Sequence, residues 1–119
     1  MEAILTDLGF QMRDGHPGCI EVWRDADDHV VVCLDNPPVN SLSRPLIAAL
    51  TALLERYTAT PPTSLVLASK GSRVFCAGLD LTELLEPDEC YFRSFWTAFE
   101  TMWQRLYVLP CTTVAAIDG

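Results

Sequence analysis

The sequence has no Cys-x-x-Cys pair, no glycine-rich nucleotide loop and only two histidines in 119 residues. The first absence removes zinc ribbons and thioredoxin-like redox sites. The five cysteines, Cys19, Cys33, Cys76, Cys90 and Cys111, are odd in number and widely spaced. They read as small buried hydrophobes in a reducing compartment. Neither G-x-G-x-x-G nor a Walker loop occurs, and Lys70-Gly71-Ser72 lacks the upstream glycines of a phosphate cradle. A G-x-S-x-G elbow is also missing. His16 and His29 are not spaced as paired ligands and read as surface or turn residues, so no metal is expected. The acids of Asp25-Ala26-Asp27-Asp28 lack the spacing of a calcium loop and read as a solvated turn.

Positive charge is scarce, with 8 Lys and Arg against 16 Asp and Glu, a net charge of -8. A phosphate-neutralising surface is therefore missing, which argues against nucleic acid as a partner. No apolar run reaches the roughly 18 residues of a membrane span. Met1-Glu2-Ala3-Ile4-Leu5-Thr6-Asp7 carries acids and no Lys or Arg, unlike a secretory signal or an Arg-rich transit peptide.

What remains is the composition of a globular chain, 50% hydrophobic and 20% charged. Residues 1-18 show no clear periodicity and read as a loosely held N-terminal arm, with residues 19-119 as the domain. Cys19 to Arg24 alternates, and Val30 to Leu34 follows the acidic turn, so the two form an antiparallel hairpin. Asn36-Pro37-Pro38 stops the second strand. Ser43 caps a helix with Pro45 in its first turn, and Leu46, Ile47, Leu50, Leu53, Leu54 and Tyr57 share one face. Ser64 to Ala68 reads as a buried strand. A short helix is expected over Leu79 to Leu85, with Glu83, Glu86, Asp88 and Glu89 around helix starts, where the macrodipole favours acids. A long helix follows to about Leu109, with Phe92, Phe95, Phe99, Met102, Trp103 and Leu106 as its packing stripe. Thr112 to Ile117 reads as a last strand covered on both faces. This alternation predicts an α/β fold with parallel crossovers, whose ligand loops follow strand C-terminal ends, here 36-43 and 69-80.

Two segments in those loops stand out: Asn36-Pro37-Pro38-Val39-Asn40-Ser41-Leu42-Ser43 and Phe75-Cys76-Ala77-Gly78-Leu79-Asp80-Leu81. Ala77-Gly78 permits close approach to the backbone. The N-H groups after it, at a helix start, lack helical partners and can hold a developing oxyanion. By composition alone, a small-residue turn is the commoner explanation of the segment.

In their order and spacing these segments resemble the enoyl-CoA hydratase/isomerase (crotonase) superfamily, within it the mitochondrial-type Δ3,Δ2-enoyl-CoA isomerases. The likeness rests on Pro37 to Ser43, on Ala77-Gly78-Leu79-Asp80-Leu81-Thr82-Glu83, on Trp96, Trp103, Arg105, Leu106 and Tyr107, and on Ala115-Ala116-Ile117-Asp118-Gly119. Leu79 to Glu83 is similar to the isomerase subgroup and unlike the Ala-Asp-Ile-Lys type of hydratases.

The resemblance implies a crotonase-like spiral of ββα units, here its N-terminal part ending near Ile117, assembled as trimers or hexamers. It implies an acyl-CoA thioester as substrate, with coenzyme A part of that substrate and no separate cofactor. The activity implied is movement of a double bond from the 3- to the 2-position in unsaturated fatty acid β-oxidation. By the same resemblance the Leu79 N-H is an oxyanion donor, and Pro38, Val39, Ala77, Gly78, Leu79, Asp80 and Leu81 line the coenzyme A site. The compartment implied is the mitochondrial matrix in a eukaryote and the cytoplasm otherwise. The family's second oxyanion donor and catalytic Glu fall beyond Gly119, and neither Glu83 nor Glu86 is expected to replace that base. The 119-residue chain alone is thus expected to be inactive and to associate. The alternatives are a hydratase of the same fold, or a non-catalytic fragment that binds acyl-CoA or full-length subunits.

Overall fold

The computed structural model describes residues 1-16, 19-71, 73-85 and 88-119. Pro17, Gly18, Ser72, Glu86 and Pro87, placed by the sequence in an arm, in a turn and at a helix start, lie outside that set. The elements are α1 (Glu2–Asp7), β1 (Gln11–His16), β2 (Ile20–Arg24), β3 (His29–Leu34), α2 (Arg44–Ala59), β4 (Ser64–Ser69), a 3-10 helix (Leu81–Leu84), α3 (Glu89–Tyr107) and β5 (Thr112–Ala115). The five strands form one mixed sheet in the order β1-β2-β3-β4-β5. β1, β2 and β3 pair antiparallel, while β3, β4 and β5 run parallel.

Parallel neighbours need a crossover, and α2 and α3 supply the two. Both helices lie on one face of the sheet. There Ile20, Val22, Val30, Val32, Leu34 and Leu65 pack with the α2 residues Leu46, Ile47, Leu50, Leu53, Leu54 and Tyr57. All six α2 positions expected on the apolar face are buried. The helix starts as its sequence requires: Ser43 Oγ accepts the Leu46 N-H at 3.4 Å, and Pro45 occupies the first turn, where its missing N-H costs no bond. On the opposite face, Trp23, Val31, Cys33 and Ala68 form a smaller cluster closed by Leu5 of α1. Register explains the division. Val30 stands beside Leu65 and Val32 beside Leu67, so even-numbered β3 residues face the helices and odd-numbered ones face α1.

Four features differ from the sequence reading. The N-terminal segment is not a loose arm: α1 covers part of the sheet, and β1 pairs with β2 as an outer strand. Its polar sequence gave no periodicity because β1 is held by backbone bonds, which any side chains allow. The expected helix from Leu79 is a 3-10 turn beginning at Leu81, because Leu79 itself bridges to Leu42. On α3, Phe95 and Met102 are buried and Phe99 and Leu106 pack on the core, but Phe92 and Trp103 are 48% and 55% exposed. The expected stripe is wider than the surface α2 offers it. Finally, β5 is an edge strand with all four residues exposed, not one covered on both faces, since only β4 pairs with it. Among the described residues no helix is long and apolar enough to cross a membrane.

Candidate functional site

The loops after β3 and β4 leave the sheet at the same end, because those strands are parallel neighbours. They are stitched together. The Ala77 N-H donates to the Val39 carbonyl at 3.1 Å and the Leu42 N-H to the Gly78 carbonyl at 2.7 Å. The Asp80 N-H then donates to the Leu42 carbonyl at 3.1 Å, completing a parallel bridge between Leu42 and Leu79. Leu42 thus bonds to the residues on either side of Leu79 and leaves Leu79's own amide turned away from it. The Leu79 N-H has no acceptor among the described residues. Its side chain is half-buried against the core.

Gly78 has φ +84, a conformation that L side chains rarely adopt, with open space where a Cβ would stand. Backbone geometry, not crowding, requires glycine here. Its N-H donates to Cys76 Sγ at 3.4 Å. Pro38 and Ala77 are exposed, while Val39 and Asp80 are half-buried. Asp80 Oδ1 caps the 3-10 helix, accepting the Thr82 N-H at 3.0 Å and the Thr82 hydroxyl at 2.7 Å. Leu81 projects outward, 73% exposed. Pro38, Val39, Ala77, Gly78, Leu79, Asp80 and Leu81 thus lie on or beside one junction.

Asn40 holds that junction, a part that composition and motif reading left unassigned. It is fully buried with φ 55, a left-handed conformation that Asn tolerates better than most residues. Its Nδ2 donates to the Val74 carbonyl at 3.1 Å, and its Oδ1 accepts the Asn36 N-H at 2.9 Å. Asn36 Nδ2 in turn donates to the Ser41 carbonyl at 2.8 Å. The only sequence signal was an Asn two residues past a Pro-Pro turn.

Beyond the junction, Glu83 reaches the start of α2. Its Oε1 accepts the Arg44 backbone N-H at 3.3 Å, and its Oε2 accepts the Tyr91 hydroxyl. That hydrogen bond is the main reason the Tyr91 phenol is raised above its ordinary pKa, since it stabilises the protonated form. The Arg44 guanidinium lies 5.2 Å from the Tyr91 ring centroid and donates Nη2 to Ser94 Oγ. Beneath the junction, an apolar cavity of about 130 Å3 lies between sheet and helices, lined by Val32, Leu34, Leu42, Leu53, Phe75 and Cys76 among others.

A free N-H on a glycine-preceded turn, fixed by two loops over an apolar cavity, is suited to holding an oxygen that gains charge. The enoyl-CoA hydratase/isomerase family model matches residues 27-119. The chain belongs to that family. It is 37% identical over 90 residues to the human protein "Enoyl-CoA delta isomerase 1, mitochondrial", covering 75% of this chain and 30% of that protein. The crystal structure of human mitochondrial delta3-delta2-enoyl-CoA isomerase overlays with a TM-score of 0.78 at 35% identity, over 84% of this chain and 40% of that one. An enoyl-CoA hydratase from Bacillus anthracis overlays with a TM-score of 0.77 at 28% identity, over 84% of this chain and 40% of that one. The fold is therefore the crotonase fold that the sequence resemblance implied, and this member spans about 30% of the length of the curated relative.

Proposed function

We propose that the protein to which this chain belongs is an acyl-CoA isomerase, which shifts the double bond of a 3-enoyl-CoA thioester to the conjugated 2-position. Two observations support this reading: the Leu79 N-H, without an acceptor among the described residues and held between Gly78 and Asp80 by the bridge to Leu42, and the 37% identity to the human delta isomerase, which favours isomerisation over hydration. A base removes the proton between the thioester carbonyl and the double bond. Charge moves onto the thioester oxygen, and the proton returns at the far carbon of the allylic system. The Leu79 N-H is one donor to that enolate oxygen. Such a donor, already oriented, typically accelerates the chemical step by roughly a hundred- to a thousandfold.

Pro38, Val39 and the backbone from Ala77 to Leu81 are proposed to line the coenzyme A site. The apolar cavity beneath offers room for a small hydrocarbon group. We assign the second donor and the base to the length of the relatives that this chain does not span, with Glu83 engaged by Arg44 and Tyr91. Coenzyme A enters only as part of the substrate. Homo-oligomeric assembly belongs to the same reading, as does a mitochondrial location in a eukaryotic source, supported by the human relative's name.

The test is an assay of the complete protein with a 3-enoyl-CoA, following formation of the conjugated thioester by ultraviolet absorbance, beside an assay of 2-enoyl-CoA hydration. Isomerisation faster than hydration is expected. Hydration alone would assign the protein to hydratase chemistry, and neither activity in the complete protein would sink the enzymatic reading.

A further inference from the structure

We propose that Glu83 is a positioning residue for the Leu79 N-H, an inference that rests on the donor reading of Leu79 given above. The turn that carries this N-H is fixed by three backbone bonds to the loop after β3, two upstream of Leu79 at Ala77 and Gly78 and one just downstream at Asp80. Downstream it continues through Asp80 into a 3-10 helix of four residues, Leu81 to Leu84. So short a helix has little stability of its own. Leu84 packs it on the core, and Glu83 supplies side-chain hydrogen bonds to the two long helices.

Glu83 joins three elements. Its carboxylate accepts the Arg44 backbone N-H, one of the donors left unpaired at the start of α2, and sits where the positive end of that helix favours an anion. Its other oxygen accepts the Tyr91 hydroxyl from the first turn of α3. Arg44 closes the knot, stacked on the Tyr91 ring and donating to Ser94. Losing the carboxylate removes the polar ties of the 3-10 helix to both long helices and leaves Leu84 as its packing contact. The Leu79 amide would then keep its flanking bonds at Gly78 and Asp80 and lose support from the segment that follows them.

The test compares two ligands on the complete protein by titration calorimetry: hexanoyl-CoA, and its thioether analogue S-hexyl-CoA, which lacks the carbonyl oxygen. The unaltered protein is expected to prefer the thioester. Glu83→Ala should reduce thioester affinity by about two- to tenfold, the worth of one ordinary hydrogen bond, and leave thioether affinity unchanged. Glu83→Gln, which keeps one acceptor oxygen, should fall between. Tyr91→Phe keeps the ring beneath Arg44 and removes one donor, so it supplies a milder variant should Glu83→Ala not fold, with the same selective loss expected. A thioester preference that survives Glu83→Gln and Tyr91→Phe would overturn the positioning role. So would an equal loss for both ligands, which would mark Glu83 as a support of the fold alone. Equal binding of the two ligands by the unaltered complete protein, or none, would overturn the donor reading of Leu79, and the positioning role with it.

Discussion

The helices α2 and α3 carry apolar stripes of similar length, yet only one is fully used. On α2, Leu46, Ile47, Leu50, Leu53, Leu54 and Tyr57 are all buried, because that helix lies between the sheet and α3. On α3 the line Phe95, Phe99, Met102 and Leu106 meets the core, while Phe92, Trp96, Trp103 and Tyr107 form a second, exposed line. Trp103 and Tyr107 stack on each other with ring centroids 5.8 Å apart. Periodicity reports which face of a helix can be buried. Whether a partner meets the whole of that face is a property of the packing.

The sharpest way to break this contrast is Phe95→Ala. Phe95 is wholly buried in the main core, so truncation should cost about 3-5 kcal/mol in urea unfolding. A loss below about 1 kcal/mol would mean that α3 is not held against α2 and the sheet as described.

The site junction should respond next. Asn40→Ala removes the acceptor of the Asn36 N-H and a donor to the Val74 carbonyl. A cost of about 1-3 kcal/mol is expected, with faster amide exchange at Ala77 and Leu42. Unchanged exchange there would show that the loops hold together without Asn40.

The exposed line of α3 supplies the opposite limit. Phe92→Ser and Trp103→Ser should each change the unfolding free energy of the chain by only about 0.5 kcal/mol or less. A loss approaching that of Phe95→Ala would place those rings in an interface that the isolated chain already forms.

A comparably small effect belongs to the other sheet face, where Lys70 Nζ pairs with Glu21 Oε2 at 2.6 Å. The Lys70 ammonium is raised above its ordinary pKa, mainly by its hydrogen bond to Glu21. A folded-state pKa above the unfolded one gives stability that is complete below the usual lysine range and is lost as pH rises through the raised value. The pair is partly exposed, so Lys70→Met should cost at most about 1 kcal/mol at neutral pH. The difference between variant and parent should shrink in strongly alkaline solution. A difference that grows there would reverse the assignment.

Local chemistry made much of this molecule legible. Ser43 and Pro45 mark the start of α2 because a side-chain acceptor and a missing N-H suit a helix N-terminus whatever surrounds it. Asp88 does the same for α3, accepting the Cys90 N-H at 2.9 Å. Alternation placed the β2-β3 hairpin, and small residues followed by Asp80 marked the turn at Leu79. Each of these signals is set within a few residues of chain.

The rest depended on segments distant in sequence. Nothing in Gln11 to His16 announces a strand, since β1 is fixed by backbone pairing with the edge of β2. No local pattern reveals that Leu42 bridges to Leu79, that Asn40 reaches Val74, or that Glu83 meets both Arg44 and Tyr91. Those contacts exist because two parallel strands release their loops at the same end of the sheet. The sequence by itself determined the main strands and the two long helices after residue 18, the caps of those helices and the family. The tertiary structure decided which apolar faces found partners and which backbone amide remained free, because both depend on what the packed chain brings alongside.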